Sequence, residues 1–125
     1  MAVLVEDRFS GAGHYLVSEA NGMYRSREQG IVAGGSGVLK PGAVMGTVTA
    51  SGKYAPLDPD AEDGTETASA ILWEGCDATD EDVRRTFTVR DSEVHADVLA
   101  WADGVDDAEK TAALAELAAL GIIGR

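Results

Sequence analysis

The stretch that most strongly determines the fold is Leu39–Tyr54, with the sequence LKPGAVMGTVTASGKY. Its Pro41-Gly42 pair predicts a turn, because proline presets φ and glycine tolerates the left-handed region. Over residues 44–50, small apolar residues alternate with Met and Thr, which is the period-two pattern of a β-strand. Ser51-Gly52 then predicts a second turn. The stretch therefore predicts a strand between two turns, at the start of a compact domain.

Downstream, apolar or alternating runs predict further strands at residues 68–73, 85–90 and 93–101. The end of the chain differs, because Asp106 followed by Glu109 has the form of a capping box at a helix start. An Ala- and Leu-rich helix is predicted over residues 107–120, ended by Gly121, with a short closing strand at 122–123. With about six strands and one helix, the predicted class is mainly β with one C-terminal α-helix.

The first part of the chain has a different composition, and we predict two regions: an extended N-terminal arm over residues 1–37 and a compact domain over residues 38–125. The apolar runs at 2–5 and 14–17 are short and are joined by glycine, so they cannot bury much surface on their own. The Gly-Gly-Ser-Gly run at 34–37 is typical of a flexible hinge.

Charge and cysteine content restrict the possible partners. The 125 residues carry a net charge of −12, from 22 acidic and 10 basic side chains. Such a surface lacks the clustered Lys and Arg that bind nucleic acid or anionic lipid, so neither is expected as a partner. Cys76 is the only cysteine, which excludes an intrachain disulfide and favours a small buried side chain. We expect a protein that is made and used in solution.

The sequence gives little support to catalysis or metal binding. His14 and His95 are the only histidines, and no Gly-x-Ser-x-Gly nucleophile elbow is present. The acidic run 58–66 could suggest calcium, but Asp63 stands where an EF-hand loop needs glycine and Ser69 where it needs glutamate. A solvated loop is the better interpretation, with a weak, irregular cation site as the alternative. We predict no catalytic residue, no metal ligand and no cofactor.

Several segments, in their order and spacing, resemble phage head decoration proteins of the lambda D type. They are residues 39–54, Asp58-Pro59 with 63–68, residues 70–72 and the tail 115–123, while residues 16–22 and 26–28 are similar to the arm of longer members. The resemblance covers nearly the whole chain. It implies a β-clip-like fold, in which a bent β ribbon closes into an incomplete barrel with a flanking helix.

The resemblance also implies a function. Such a protein is not an enzyme; it binds the outer surface of the expanded phage head as a homotrimer at three-fold sites and stabilises the head against internal DNA pressure. Its partner is the major capsid protein, its place is the outer surface of the virion, and it is made in the host cytoplasm. The N-terminal arms become ordered when they touch the capsid protein.

On this basis two groups of residues are candidates for contacts. The predicted capsid-binding arm residues are Val3, Leu4, Val5, Phe9, Tyr15, Leu16 and Val17, and the candidates for the trimer interface, or for the core, are Trp73, Phe87 and Trp101. Large aromatic side chains such as these three are enriched both at subunit interfaces and in cores.

Two other functions stay open at this point. The β-clip class includes dUTPases, so a trimeric nucleotide hydrolase is possible, although no metal–carboxylate motif or uracil-pocket hairpin is evident. A surface display or glycan-binding module is the other alternative, since tryptophans can stack on sugars. A nucleotide thermal-shift screen tests the first and a glycan panel tests the second.

Overall fold

A computed structural model describes residues 11–20 and 25–125. Over these residues the chain forms ten strands, one short 3₁₀ turn and one α-helix. The strands are β1 (Leu16–Glu19), β2 (Arg27–Val32), β3 (Gly37–Leu39), β4 (Val44–Thr47), β5 (Tyr54–Pro56), β6 (Ala68–Leu72), β7 (Cys76–Ala78), β8 (Val83–Thr88), β9 (Ser92–Val94) and β10 (Ile122–Gly124); the helix is α1 (Asp107–Ala119). The predicted class, mainly β with one C-terminal helix, is confirmed.

Five of the strands close into a barrel in the order β2-β5-β4-β6-β8. Strand β4, from the stretch quoted first, pairs antiparallel with both β5 and β6. Strand β8 pairs with β6 and, from Arg27–Thr88 to Val32–Val83, with β2. The ring is closed between β2 and β5 by one parallel pair, Val32 with Tyr54. Closure matters because each barrel strand then has a partner on both sides.

Strand β4 ends earlier than the alternating pattern suggests, at Thr47. The next residues form a tight loop, in which the Val48 amide donates to the Lys53 carbonyl and the Gly52 amide to the Val48 carbonyl, each at 2.8 Å. Gly52 has a φ of +74°, a conformation that glycine adopts without steric cost. The turn chemistry of this loop therefore overrides the alternation that continues to residue 50.

One apolar cluster fills the barrel and its junction with β7. Its buried members are Val32, Ala43, Met45, Ala70, Leu72, Cys76, Ala78 and Phe87. The ring of Phe87 stacks on that of Tyr54, with centroids 4.1 Å apart and an angle of 27° between the planes. Gly30 leaves room for this pair, because a Cβ there would lie 2.6 Å from a ring carbon of Tyr54. Cys76 is a buried free thiol whose pKa is raised by burial, as expected for a small core side chain.

A second apolar cluster lies between the barrel, α1 and a three-stranded sheet of order β1-β9-β10. Its buried members are Tyr15, Val44, Leu57, Ala68, Ile71, Val94, Leu99, Ala113, Leu117 and Ile122. Val44 and its neighbour Met45 point into different clusters, as the alternation of a strand requires. Strand β4 is therefore covered on both faces.

The helix begins and ends as its sequence predicts. The Glu109 amide donates to Asp106 Oδ1 at 2.8 Å, and the Asp106 amide donates to Glu109 Oε1 at 3.0 Å, which completes the capping box. Gly121 follows the helix with a φ of +88°. Ala113 and Leu117 form its buried face. Small residues on this face let α1 pack closely against β6.

The predicted strand at residues 93–101 is only partly present. Strand β9 ends at Val94, and Ala96–Val98 form the 3₁₀ turn. The chain then bridges back to the Pro-Gly turn region, where the Ala100 amide donates to the Gly42 carbonyl at 2.9 Å and the Val44 amide donates to the Ala100 carbonyl at 3.0 Å. These bonds hold Ala100 beside β4, so the chain does not continue β9.

In the described residues, strands on the two sides of the predicted boundary at residue 37 pair with each other. Strand β2 is a barrel strand, paired along its whole length with β8. Strand β1 pairs with β9, and Tyr15 is completely buried. These partners lie more than fifty residues away in sequence, so nothing local marks residues 11–20 and 25–37 as part of the body. An arm formed by the first ten residues stays a prediction, because they lie outside the described part of the chain.

Candidate binding surfaces

The residues predicted for the arm differ in exposure. Tyr15 is 0% exposed, Leu16 is half-buried and packs on the second apolar cluster, and Val17 is 44% exposed. Val17 lies at the irregularity in the β1–β9 pairing, between Leu16 and Ser18. The other predicted arm residues, Val3, Leu4, Val5 and Phe9, lie outside the described residues. Of the arm candidates whose position is known, only Val17 presents a largely free side chain.

Tyr15 joins the start of β1 to the barrel. Its hydroxyl and that of Thr88 on β8 share a hydrogen bond of 2.6 Å. Its ring meets Trp73 edge to face, with centroids 6.4 Å apart. Burial raises the pKa of the Tyr15 hydroxyl well above its ordinary value, against the opposing effect of the bond to Thr88. Tyr15 is therefore a neutral core side chain whose ring and hydroxyl are already buried within the single chain.

A charged cluster lies beside this tyrosine. The Arg27 guanidinium stacks over the Trp73 ring, 3.6 Å from its centroid. The same guanidinium binds both carboxylate oxygens of Glu19, at 2.5 and 3.1 Å, and the Ser26 hydroxyl donates to Glu19 as well. Burial alone would raise the pKa of Glu19, but the bonds from Arg27 and Ser26 outweigh it and hold the pKa below its ordinary value. The cluster links β1, β2 and the residue after β6.

We expect Glu19→Gln to lower the free energy of unfolding at neutral pH by about 1–2 kcal/mol, because it removes the charged partner of the two bonds between Glu19 and the largely buried Arg27 guanidinium. A carboxylate with a depressed folded-state pKa stabilises the fold above its unfolded pKa of about 4.3, and that stability is lost as the pH falls through the folded value. The difference from wild type should therefore shrink below about pH 4. Urea unfolding at several pH values measures it.

The matched control for this prediction is Glu62→Gln, which removes the same charge from an exposed loop position. It should change stability by less than about 0.5 kcal/mol. A Glu19→Gln penalty that stays constant from neutral pH to pH 3 would contradict the ion-pair explanation.

The three aromatic candidates for the trimer interface occupy different environments. Phe87 is 0% exposed inside the barrel, so a single chain already buries it, which agrees with the core alternative of its prediction. Trp73 is half-buried, with Arg27 over its ring and Tyr15 at its edge. Trp101 is half-buried and lies beside a surface groove. Trp101 therefore borders an open surface groove.

The groove beside Trp101 has a volume of about 580 Å³. Its lining includes Val38, Leu39, Lys40, Pro56, Ala100, Trp101, Ala102 and Asp103. Val38, in the β3–β7 ribbon, is 75% exposed, more than the other exposed large apolar residues among those described. We call this surface the Trp101 groove. The sequence did not single out Val38, because one exposed valine after a glycine run has no pattern that distinguishes it from a buried one.

The groove continues into a second hollow of about 560 Å³. Ser36, Pro56, Ala102 and Asp103 line both. Its lining includes residues 34–36 of the predicted glycine hinge and residues 102–105 of the chain between Trp101 and α1. Gly34 is held there, since its amide donates to Asp82 Oδ1 at 2.7 Å. In this structure the glycine run is the wall of a groove that includes both apolar and charged side chains.

The acidic loop 58–66 uses its carboxylates to hold its own backbone. Asp58 accepts from the Asp60 amide at 3.1 Å, and Asp63 accepts from both the amide and the hydroxyl of Thr65. The bonds from Thr65 lower the pKa of Asp63. No group of three His, Cys, Asp or Glu side chains within residues 11–20 and 25–125 is arranged to hold a metal ion. Asp58 and Asp63 therefore stabilise turns within the loop.

The histidines and the helix add two further observations. His14 contacts the Gly11 carbonyl through Nδ1 at 3.0 Å, and His95 is exposed. In the described part of the chain, no helix has the length and apolar character needed to cross a bilayer.

Comparison with known proteins identifies one matching protein family. The family model described as bacteriophage lambda head decoration protein D matches residues 3–122. The match spans β1 to the start of β10 and also takes in most of the residues before Gly11. No curated protein matches the chain.

Proposed function

Because this chain belongs to the bacteriophage lambda head decoration protein D family, we propose that it binds the outer surface of the expanded phage head as a homotrimer at three-fold sites and stabilises it against DNA pressure. Decoration of the phage capsid is the role of the family, and it places the chain on the virion. The family is structural rather than enzymatic in kind. The observation that carries the proposal is the match over residues 3–122, nearly the full length.

In this proposal the Trp101 groove is the contact between copies. It combines a half-buried tryptophan, a residue enriched at interfaces, with the 75%-exposed apolar Val38, and interfaces between identical subunits are more apolar than the rest of the surface. Lys40 and Asp103 lie in the same groove and supply opposite charges at its rim. An apolar contact with paired charges offsets the mutual repulsion of chains that each carry a charge of −12.

The second contact in the proposal is with the major capsid protein, through the apolar residues Val3, Leu4, Val5 and Phe9. An extended apolar segment can add to the edge of a partner's sheet through backbone hydrogen bonds, while its side chains enter pockets. Support comes from β1, which follows this segment, lies at an edge of its three-stranded sheet and carries the exposed Val17. The surplus of acidic side chains argues against nucleic acid as the partner.

Stabilisation of the head follows from mass action. A protein that binds the expanded lattice and not its competitors stabilises that lattice by about 2.7 kcal/mol per site at a hundredfold excess over Kd. Three linked contacts per trimer raise the apparent affinity further, because the second and third binding events are intramolecular. Many such sites on one shell add up against the outward pressure of packed DNA. Synthesis in the host cytoplasm fits the single free cysteine.

Co-sedimentation of the full-length protein with expanded, undecorated heads of the parent phage tests the proposal. Saturable binding that reaches three copies per three-fold site, with greater resistance of the heads to heat, is the expected result. Absence of binding, or saturation at one copy per site, would overturn it. An N-terminally truncated variant used in this test must keep the residues from Gly11 onward, because β1 and β2 belong to the folded body.

We expect the triple substitution Val3→Glu/Leu4→Glu/Val5→Glu to weaken head binding at least tenfold, because charged side chains cannot enter apolar pockets. The matched control is Thr111→Glu/Ala115→Glu/Ala118→Glu, which adds the same charge at exposed positions of α1. Binding isotherms of both variants, measured at one salt concentration, give the comparison. Equal losses in the two proteins would assign the effect to net charge and remove the arm from the proposal.

A further inference from the structure

The residues that follow the first ten are held by the body of the protein from two sides. The Gly13 amide donates to the Trp73 carbonyl at 2.9 Å, and the His95 amide donates to the Tyr15 carbonyl at 2.8 Å. Within the segment, the Leu16 amide donates to the Gly13 carbonyl at 3.0 Å. The backbone from Gly13 to Leu16 is therefore fixed against the end of β6 and the end of β9.

Side chains hold the same segment. Gly13 lies directly against the Trp73 ring, because a Cβ on Gly13 would overlap ring atoms, and its φ is +67°. Two residues further along, the side chain of Tyr15 is buried in the core, and its hydroxyl is hydrogen-bonded to that of Thr88 at 2.6 Å. Arg27 covers the Trp73 ring and limits how far that ring can move away. Few positions in the described chain combine so close a packing contact with a backbone conformation that favours glycine.

From this geometry we infer that Gly13, Tyr15 and Trp73 form a clasp that fixes the attachment point of the N-terminal segment, and that they are positioning residues for capsid binding. The inference rests on the proposed function. Residues 1–10 are joined to the body through this clasp. A fixed attachment lowers the conformational entropy that is lost on binding and keeps the three segments of a trimer at defined places. The clasp acts through the segment and touches no capsid residue itself.

The inference is tested with Gly13→Ala in the full-length protein. The added methyl group forces the Trp73 ring or the turn to shift, and alanine is strained at a φ of +67°. We expect head binding to weaken about tenfold, because the conformational entropy of one or two residues next to the segment must then be lost on binding. Gly52→Ala is the matched control, since Gly52 has a similar φ of +74° and no atom close to its Cβ position. It should leave head binding unchanged.

A double-mutant cycle separates positioning from general destabilisation. Head binding is measured for wild type, Gly13→Ala, Val3→Glu/Leu4→Glu/Val5→Glu and the combination. The clasp predicts that Gly13→Ala costs about tenfold with the natural segment and almost nothing with the substituted one. Equal losses in both backgrounds overturn the inference. If the triple substitution alone leaves binding unchanged, the proposed arm contact is wrong. This outcome differs from equal losses in both backgrounds, which contradict the clasp alone.

Tyr15→Phe gives a second, milder variant in case Gly13→Ala does not fold. It removes only the hydroxyl that bonds Thr88 and keeps the buried ring. We expect a smaller loss of head binding that also disappears in the triple-substituted background. Amide hydrogen exchange at Gly13 and Leu16 supplies a readout on the free protein, and it should be faster in both clasp variants. Unchanged exchange together with unchanged binding in Tyr15→Phe would count against the clasp.

Discussion

Phe87→Ala is expected to lower the free energy of unfolding by about 3–5 kcal/mol, the range for removal of a buried phenylalanine. The ring is completely buried inside the barrel and stacks on Tyr54 at a centroid distance of 4.1 Å. The close approach of Gly30 on the neighbouring strand leaves the cavity little scope to collapse, since β2 is held along its whole length by β8. A loss this large is a major part of the stability of a small domain.

Denaturant unfolding at several protein concentrations distinguishes a core residue from an interface residue. A core residue gives the same loss at every concentration, whereas an interface residue gives one that depends on concentration through the oligomer. Phe87→Leu is the matched control, because it keeps an apolar side chain in the cavity and should lose clearly less than Phe87→Ala. A Phe87→Ala penalty below about 1 kcal/mol, or one that vanishes at low concentration, would contradict the burial found in the single chain.

Local features of this chain could be predicted because their causes are local. The capping box of Asp106 and Glu109 and the terminating Gly121 act within a few residues of each other, and the helix has the bounds they indicate. The alternation that begins at Val44 likewise matches β4, up to the point where the Gly52 turn takes over. Capping groups and turn glycines determine such elements before any tertiary contact forms.

The first third of the chain could not be predicted for the opposite reason. Strand β2 has the sequence REQGIV, in which polar side chains and a glycine hide the alternation of a barrel strand. Its partner β8 lies far along the chain, and only that pairing shows that the segment belongs to the barrel. Tyr15 is similar, since an apolar run suits either an arm or a core until the bond to Thr88 is known.

The candidate contact surface was also only partly predictable. Alternation shows that Phe87 and its neighbours have one buried face, but it does not show whether the chain itself or another copy covers that face. For Phe87 the chain itself covers it, whereas Trp101 lies half-buried at a groove. Val38 gave no signal, because its exposure results from the position of the β3–β7 ribbon relative to the barrel.

The second large effect is expected from Val38→Asp, which should convert the proposed trimer to a monomer while leaving the fold intact. Val38 is 75% exposed, so the substitution costs the isolated chain little. In a trimer the new carboxylate would be desolvated at each of three contacts, in a groove that already contains the carboxylate of Asp103. Closed symmetry repeats one change at every interface, so the penalty is multiplied.

Sedimentation velocity across a wide range of protein concentrations measures this effect on the free protein, and counting bound copies on expanded heads measures it on the capsid. Ile123→Asp is the matched control, since it makes a comparable change at an exposed β-branched strand residue that does not line the groove, and it should leave the oligomeric state unchanged. We expect Val38→Asp to occupy heads at least a hundredfold more weakly, because single subunits lose the multivalent contribution. If Val38→Asp still forms trimers, the Trp101 groove is not the contact between copies. If wild type stays monomeric both in solution and on the head, the homotrimer is wrong, and head binding then rests on one segment per site.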